Sequence, residues 1–385
     1  MDFENSDDWN ASFDNFFSHF AHLFKRSESR FCARDYVRGL LADVRRKNCW
    51  QVAEAMGLDD PQAMQRLLYE AQWDDRAVRR KLREVMVTEL GYQPGVGVID
   101  ESGFVKKGEQ SVGVQRQWCG RLGKVENCQV AVFLGYVTAF GSAFLDSELY
   151  LPQSWCEDVA RRQTARVPPE VQFQTKPELA LAMLEQVWSE GIPMHWVVGD
   201  TVYGNSPALR NAIAKSERYY VMEIPGTNTV YPRGEADAMA VQALARQLSD
   251  PAWERMAFQL GEKGLHFYDW AAVRGVAPTD EIGEQWLLIR RSVGEKPECK
   301  YSLSNAPADT PLAELAAIAL SRHPIEPLLE EAKGEAGLAD YEVRHWPSWY
   351  RHITLSLVAH TWLALIRHKQ REKKPVALLD EFQPA

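Results

Sequence analysis

The sequence predicts a mixed α/β protein in which a helical amino-terminal region precedes a sheet-containing core and a β-rich insertion interrupts that core. Three observations carry the expectation. Residues 24–89 keep a helical period; from Gly91 the pattern changes to short Val-rich runs bounded by Gly or Asn; and beyond residue 174 helix-like and strand-like runs alternate. With 385 residues, 45% apolar side chains, 24 Gly and 20 Pro, the chain is long enough for two or three domains and too varied for a fibrous or disordered class.

Residues 1–20 hold five acids and no Lys or Arg, interleaved with Phe and Trp, and read as a loosely held arm or docking segment. From Phe24 to Asn48 the balance reverses to eight basic residues against three acidic ones, ending in Arg45, Arg46 and Lys47. The next stretch, CWQVAEAMGLDDPQAMQRLL, is two helix-like runs around GLDDP. Ala53, Gly57 and Ala63 match helix-turn-helix spacing, where the turn must be tight; a plain helical corner shares the pattern. A further helix is predicted over Asp75–Glu89. Residues 1–92 are therefore expected to form a helical DNA-binding domain.

GVGVIDESGF, SVGVQRQWCG and NCQVAVFLGYVT read as three consecutive strands. The helix PELALAMLEQVWSEG, the strand MHWVVGD, the helix SPALRNAIAKSE and the strand RYYVMEIPG follow. A meander and then alternating helix and strand is the ribonuclease-H-like order, which periodicity alone does not separate from other mixed α/β layouts, and residues 93–226 are expected to form the first part of the core. Residues 227–311 break the rhythm with a helix (ADAMAVQALARQL) and strand-like runs (LHFYDWAAVRG, QWLLIRRSVG, KYSLSN), and are expected to form an insertion with its own small core. Helical character resumes at Leu312 and runs to Lys374, the final part of the core (312–374), leaving 375–385 as a tail.

The most apolar run, Ile353–Ile366, is 14 residues long and carries His360. That is short of the roughly 20 needed to span a bilayer, so it reads as a buried helix. The acidic amino terminus is unlike an export signal, and six Cys without a C-x-x-C pair fit reduced thiols in a cytoplasm.

Asp100 closes the apolar run GVGVID, and Asp200 closes HWVVGD in the same way. A carboxylate at the end of a buried strand is costly unless a cation compensates it, although either acid alone fits an Asx turn or helix cap. Two at matching strand ends reach the same sheet edge. Arg322, Glu326 and Lys333 are spaced i, i+4, i+11, which places all three on one helical stripe. Cation, acid and cation on one stripe suit metal and phosphate, and an ion-paired surface face has the same pattern. Glu330 shares the stripe, and Pro324 and Pro327 start the helix near Ile325, leaving Arg322 in the preceding turn.

VIDESGFVKKG, GDTVYGN and IEPLLEEAKGEAGLADYEVRHWPSWYRH together resemble the three acidic blocks of bacterial insertion-sequence transposases of the DDE type. The likeness is to the branch whose ribonuclease-H-like core carries a β-rich insertion, and it spans residues 95–368. That branch has the signature Y-x2-R-x3-E-x6-K; Arg322, Glu326 and Lys333 fit it, favouring Glu326 over Glu330, while Ala319 stands at the Tyr position. The resemblance implies that Asp100, Asp200 and Glu326 hold two Mg²⁺ ions, for which Mn²⁺ substitutes, about 4 Å apart, one activating water or a DNA 3′-hydroxyl and one the leaving oxygen. It implies double-stranded DNA as partner, both as terminal inverted repeats and as target. It further implies a homodimer on paired ends and a nucleoid-associated protein of the bacterial cytoplasm.

In the insertion, Trp253, Trp270 and Trp286 are read as core packing, with Trp253 as the base-stacking candidate that the resemblance suggests. Trp346, Trp349 and Tyr350 stand among Arg344 and Arg351 as a basic-aromatic patch that either contacts DNA backbone or packs inward. His195 is read as a core histidine, and Glu101 as pointing to the face opposite Asp100. Two other functions stay open: a nuclease that cleaves without joining, and a DNA-binding repressor without catalysis. The formal charge of -9 does not exclude DNA, because residues 24–48 and 341–374 are each basic, the latter with seven Lys or Arg against two Glu.

Overall fold

The computed structural model describes residues 6–89, 94–139, 141–259 and 264–373; the tail, Lys374 and the helix end at Gly91 lie outside them. Five helices come first: α1 (Ser6–Ala21), α2 (Ser27–Leu40), α3 (Cys49–Ala55), α4 (Gln62–Tyr69) and α5 (Asp75–Glu89). The expectation of a loose acidic arm is wrong. Phe13, Phe16, Phe17 and Phe20 recur at helical spacing along α1 and are all buried. Phe13 meets Trp362 edge-on with ring centroids 5.8 Å apart. Burying each Phe is worth roughly 1.5–3 kcal/mol, which outweighs the solubility of the acidic face.

The corner between α3 and α4 has the expected form. Asn48 caps α3 by accepting from the Gln51 amide at 3.0 Å, and Gly57, with φ 73°, takes the left-handed conformation the turn needs.

Next come β1 (Gly95–Val105), β2 (Gln115–Cys119), β3 (Lys124–Thr138), β4 (Gly141–Tyr150), α6 (Gln153–Glu157), α7 (Val159–Thr164), α8 (Lys176–Ser189), β5 (Met194–Gly199), α9 (Thr201–Gly204), α10 (Pro207–Lys215) and β6 (Tyr219–Ile224). They are followed by β7 (Thr229–Pro232), β8 (Met239–Ala240), α11 (Val241–Gln247), β9 (Glu254–Gln259), β10 (Leu265–Val276), β11 (Glu284–Ser292), β12 (Cys299–Ser304), α12 (Leu312–Leu320), α13 (Ile325–Glu335) and α14 (Trp346–Lys373). The sheet is mixed: β3 runs antiparallel to β1 and β4, while β1, β5 and β6 are parallel neighbours. Strand β4 was absent from the sequence expectations.

The β-rich segment does not form a separate sheet. Strand β12 pairs with β6, β11 with β12 and β10 with β11, so among the described residues the sheet runs on to twelve strands. Leu287, Leu288, Ile289 and Leu303 join the main core; a small second cluster holds Met256, Phe258 and Trp270 against Ala316 and Leu320 of α12. A buried pair, Arg210 of α10 with Asp280 of the β10–β11 turn, fastens the segment to the core (Nε–Oδ2 2.8 Å).

Helix α14 is the buried helix expected around residues 353–366, and it packs on α2, α4, α5, α13 and β4. The amino-terminal helices thus share one core with the sheet. No helix among the described residues is long and apolar enough to cross a membrane. All six Cys are free. His195, expected in the core, is exposed, because β5 turns Met194 inward on its other face.

Candidate active site

Strand register brings the first two acids together. In the parallel pair β1–β5, Ile99 lies opposite Gly199, so Asp100 and Asp200 each stand one residue past the last matched pair. Adjacent strands are about 4.8 Å apart, which sets these two residues side by side. Asp200 ends its strand and caps α9, its Oδ1 accepting from the Val202 amide at 2.9 Å. Asp100 is not at a strand end: β1 continues to Val105 on its β3 side. Its Oδ1 accepts from the Glu101 amide at 2.7 Å, leaving Oδ2 facing Arg322.

Electrostatics mark both carboxyls as under-compensated. Burial pushes Asp100 up to about 7, while Arg322 pulls the other way. Burial also raises Asp200, with the Glu101 charge adding to it. Glu101 points to the other face of β1, where it accepts from Lys176 Nζ at 2.5 Å and from the Tyr203 hydroxyl at 2.9 Å.

The third block is only partly convergent. Arg322 lies in the turn before α13, as the prolines require, with Nη1 3.4 Å from Asp100 Oδ2 and Nη2 3.7 Å from Glu326 Oε1. Glu326 is 69% exposed and reaches toward the acid pair only through that guanidinium. Glu330 is exposed as well. Lys333 sits two turns further on, donating to Ser102 Oγ at 2.5 Å, and burial pushes its ammonium down to about 8. Among the described residues, no three acidic, His or Cys side chains are close enough to hold one metal ion. The pair Asp100 and Asp200 nonetheless fits a hard divalent cation: two desolvated carboxylates, each with one oxygen fixed by a backbone amide.

Several residues predicted from sequence are placed elsewhere. Lys47 is buried, with Nζ donating to the Glu335 carbonyl at 2.6 Å, and is not available to a phosphate; Arg45 and Arg46 are exposed. Arg351 is drawn inward, donating to the Leu68 carbonyl at 3.1 Å beside Trp73, whereas Arg344 is exposed. Trp349 and Tyr350 are buried, so the basic-aromatic patch is mainly packing. Trp253 is half-buried beneath the Arg291 guanidinium at 4.0 Å. Strand alternation puts Arg291 on the sheet face opposite Arg290, so Trp253 does not adjoin the acids.

Sequence reading also missed Glu223 of β6. Its carboxylate lies 3.8 Å from Arg322 Nε and 3.5 Å from Lys300 Nζ. The signal was present, since YYVMEIPG carries an acid near the end of an apolar strand, as the other two blocks do.

Residues 16–257 match the family model described as DDE superfamily endonuclease, a span that contains Asp100 and Asp200 and stops short of Glu326. Over 317 residues the chain is 27% identical to the probable transposase for insertion sequence element IS701 of Microchaete diplosiphon, covering 80% of this chain and 76% of that protein. Among solved structures, the piggyBac transposase synaptic complex with hairpin DNA aligns over 97% of this chain and 79% of that one, at 10% identity and a TM-score of 0.45.

Proposed function

Because this chain belongs to the DDE superfamily endonucleases, we propose that it is a DNA transposase that cleaves the ends of an insertion sequence and joins them to a target. The observation that carries the reading is the side-by-side placement of Asp100 and Asp200, each one residue past the last matched pair of the parallel strands β1 and β5 and both pushed toward the protonated form by burial. In this reading β1, β3, β4, β5 and β6 with their helices are a ribonuclease-H-like core, and the segment 227–311 is its insertion.

Asp100 and Asp200, with Glu326 as the third acid, would hold a divalent cation, Mg²⁺ or Mn²⁺. Two such ions would supply Lewis-acid charge at the reacting phosphodiester. The chain's own residues do the rest. Arg322 and Lys333 neutralise phosphate oxygens, the former with a planar fork suited to bidentate contact. The amide contacts of Asp100 and Asp200 fix one oxygen of each carboxylate and leave the second for the cation. No covalent enzyme intermediate is needed, because in-line attack on phosphorus requires positioning and charge.

Double-stranded DNA carrying terminal inverted repeats is the substrate, and pairing of two ends is expected to bring two copies of the chain together, in a bacterial cell at the nucleoid. The helical region before residue 93, with Arg45 and Arg46 exposed on it, and Arg344 are the non-catalytic DNA contacts. The test is incubation with Mg²⁺ and DNA bearing the element's termini. Cleavage that persists in Asp100→Ala or Asp200→Ala sinks the site assignment. A nuclease that does not join gives cleavage without strand-transfer products, and a repressor gives tight binding without cleavage.

A further inference from the structure

The sheet that extends from the acid pair carries two cations, Arg290 and Lys300, on one face near Glu223. Arg290 of β11 lies opposite Lys300 of β12, and Ser302 of β12 lies opposite Glu223 of β6. Alternation puts Arg290, Lys300 and Glu223 on a common face, the one that α12 covers beside Trp270. Three contacts link this row to the site. Lys300 Nζ is 3.5 Å from Glu223 Oε1, Arg322 Nε is 3.8 Å from the same oxygen, and Arg290 Nη1 is 3.4 Å from Nε2 of His323, the neighbour of Arg322. Arg290, Lys300 and Arg322 therefore share one local counter-charge, Glu223; the other acids at Arg322 are Asp100 and Glu326.

Arg290 is the least balanced of these groups. Its guanidinium packs over Tyr268 at 4.9 Å and Trp270 at 6.0 Å, and among the described residues no carboxylate lies within ion-pair distance of it. Burial lowers its pKa, against the pull of the Glu223 charge. Holding a desolvated cation whose counter-charge lies beyond ion-pair distance destabilises a fold. An anionic ligand arriving at that place removes the penalty.

We propose that Arg290, Lys300 and Arg322 form a phosphodiester-binding site beside the acid pair, which holds the backbone of the DNA strand next to the scissile phosphate. The inference rests on the reading of the chain as a DNA-cleaving transposase, and it assigns to the β-rich segment a direct hold on substrate. Arg322 links the two sites: as Asp100 and Glu326 turn to a cation, its guanidinium is released toward phosphate. The aromatic platform of Tyr268 and Trp270 fixes the plane of Arg290, so its fork is oriented before DNA arrives.

The experiment compares the full-length protein with Arg290→Met and Lys300→Gln, measuring affinity for a fluorescent end-bearing DNA duplex from 50 to 300 mM salt, along with thermal stability. Each variant is expected to bind several-fold more weakly, with the slope of log affinity against log salt reduced by about 0.9, the value for one lost phosphate contact. Arg290→Met is expected to melt no lower than wild type, since it removes an uncompensated charge; a purely structural arginine would melt lower. Lys300 is half-exposed, so Lys300→Gln tests the site without risk to the core. Unchanged affinity and slope in both variants, with wild type binding and cleaving, overturns this inference alone. A wild-type protein with no salt-dependent DNA binding overturns the transposase reading and this inference with it.

Discussion

The guanidinium of Arg322 stands 3.4 Å from the carboxylate of Asp100, joining a turn of the third block to the strand of the first across 222 positions of sequence. It also meets Glu326, so in this conformation an arginine bridges Asp100 and Glu326. A cation and Arg322 thus compete for the same carboxylates. Arg322→Ala is expected to bind Mg²⁺ at least as tightly as wild type by calorimetry. Cleavage should nevertheless fall about a hundredfold, the usual scale for losing one charge-stabilising donor. Weaker metal binding in the variant would show that Arg322 supports the acids rather than competing for them.

Asp200 has two roles that one substitution separates. Its Oδ1 caps α9 through the Val202 amide, and Asn caps as well as Asp. Asp200→Asn should therefore keep the melting temperature within a few degrees of wild type while abolishing cleavage. A large loss of stability would mean that the acid's charge, not its cap, holds the turn.

His352 of α14 is fully buried between Tyr36 of α2 and the Gly337 carbonyl. A carbonyl only accepts, so Nε2 carries the proton and donates at 3.1 Å, while Nδ1 accepts from the Tyr36 hydroxyl at 2.9 Å. Burial pushes this imidazole down to about 3. The unfolded chain takes up a proton near pH 6.5 that the folded chain refuses. The neutral histidine's contribution is thus whole above pH 6.5 and is lost as pH falls from 6.5 toward 3, at up to about 1.4 kcal/mol per pH unit. Urea denaturation of His352→Gln between pH 7 and 5 should show a flatter pH dependence than wild type; parallel curves would contradict this.

Asp146 of β4 bridges two buried arginines of α5, Arg79 at 2.5 Å and Arg83 at 3.1 Å. Arg79 also meets Asp75, and Arg83 also meets Glu190. Removing the shared acid leaves two desolvated cations partly uncompensated. Asp146→Ala is expected to lower unfolding free energy by roughly 3–5 kcal/mol, the cost of breaking a buried pair from one side. Chemical denaturation gives the value directly, and a change below about 1 kcal/mol would place the network in the class of weak surface pairs.

Arg45, Arg46 and Lys47 are neighbours in sequence with different surroundings. Replacing Arg45 and Arg46 together by Gln should reduce the salt slope of DNA binding by about 2 without changing stability. Lys47→Gln should do the reverse, because Lys47 Nζ is committed to the Glu335 carbonyl. Equal effects on DNA binding from all three would contradict the buried placement of Lys47.

Local chemistry made much of this molecule legible. The apolar runs ending at Asp100 and Asp200 announced two strands with acids at one edge, and Pro324 and Pro327 placed Arg322 in the turn before α13. Helix α5 follows its predicted span over Asp75–Glu89, and α12 begins at the predicted Leu312. These features depend on residues within one or two turns of each other, so a single stretch of sequence contains their cause. The Phe stripe of α1 was equally local and was obscured by the acids around it.

Partners that arrive from far along the chain decided the rest. Lys47 is buried because Glu335 and Asp340 meet it, His352 is neutral because Tyr36 meets it, and Trp349 is core because α14 is central. Strand β12 chooses β6 as neighbour, turning an expected separate insertion core into an extension of the main sheet and setting Arg290 and Lys300 beside Glu223. Sequence determined which residues carry charge and which segments are strands or helices. Tertiary structure alone decided which charges lose water and which partner each one meets, because desolvation and pairing depend on contacts between segments hundreds of residues apart.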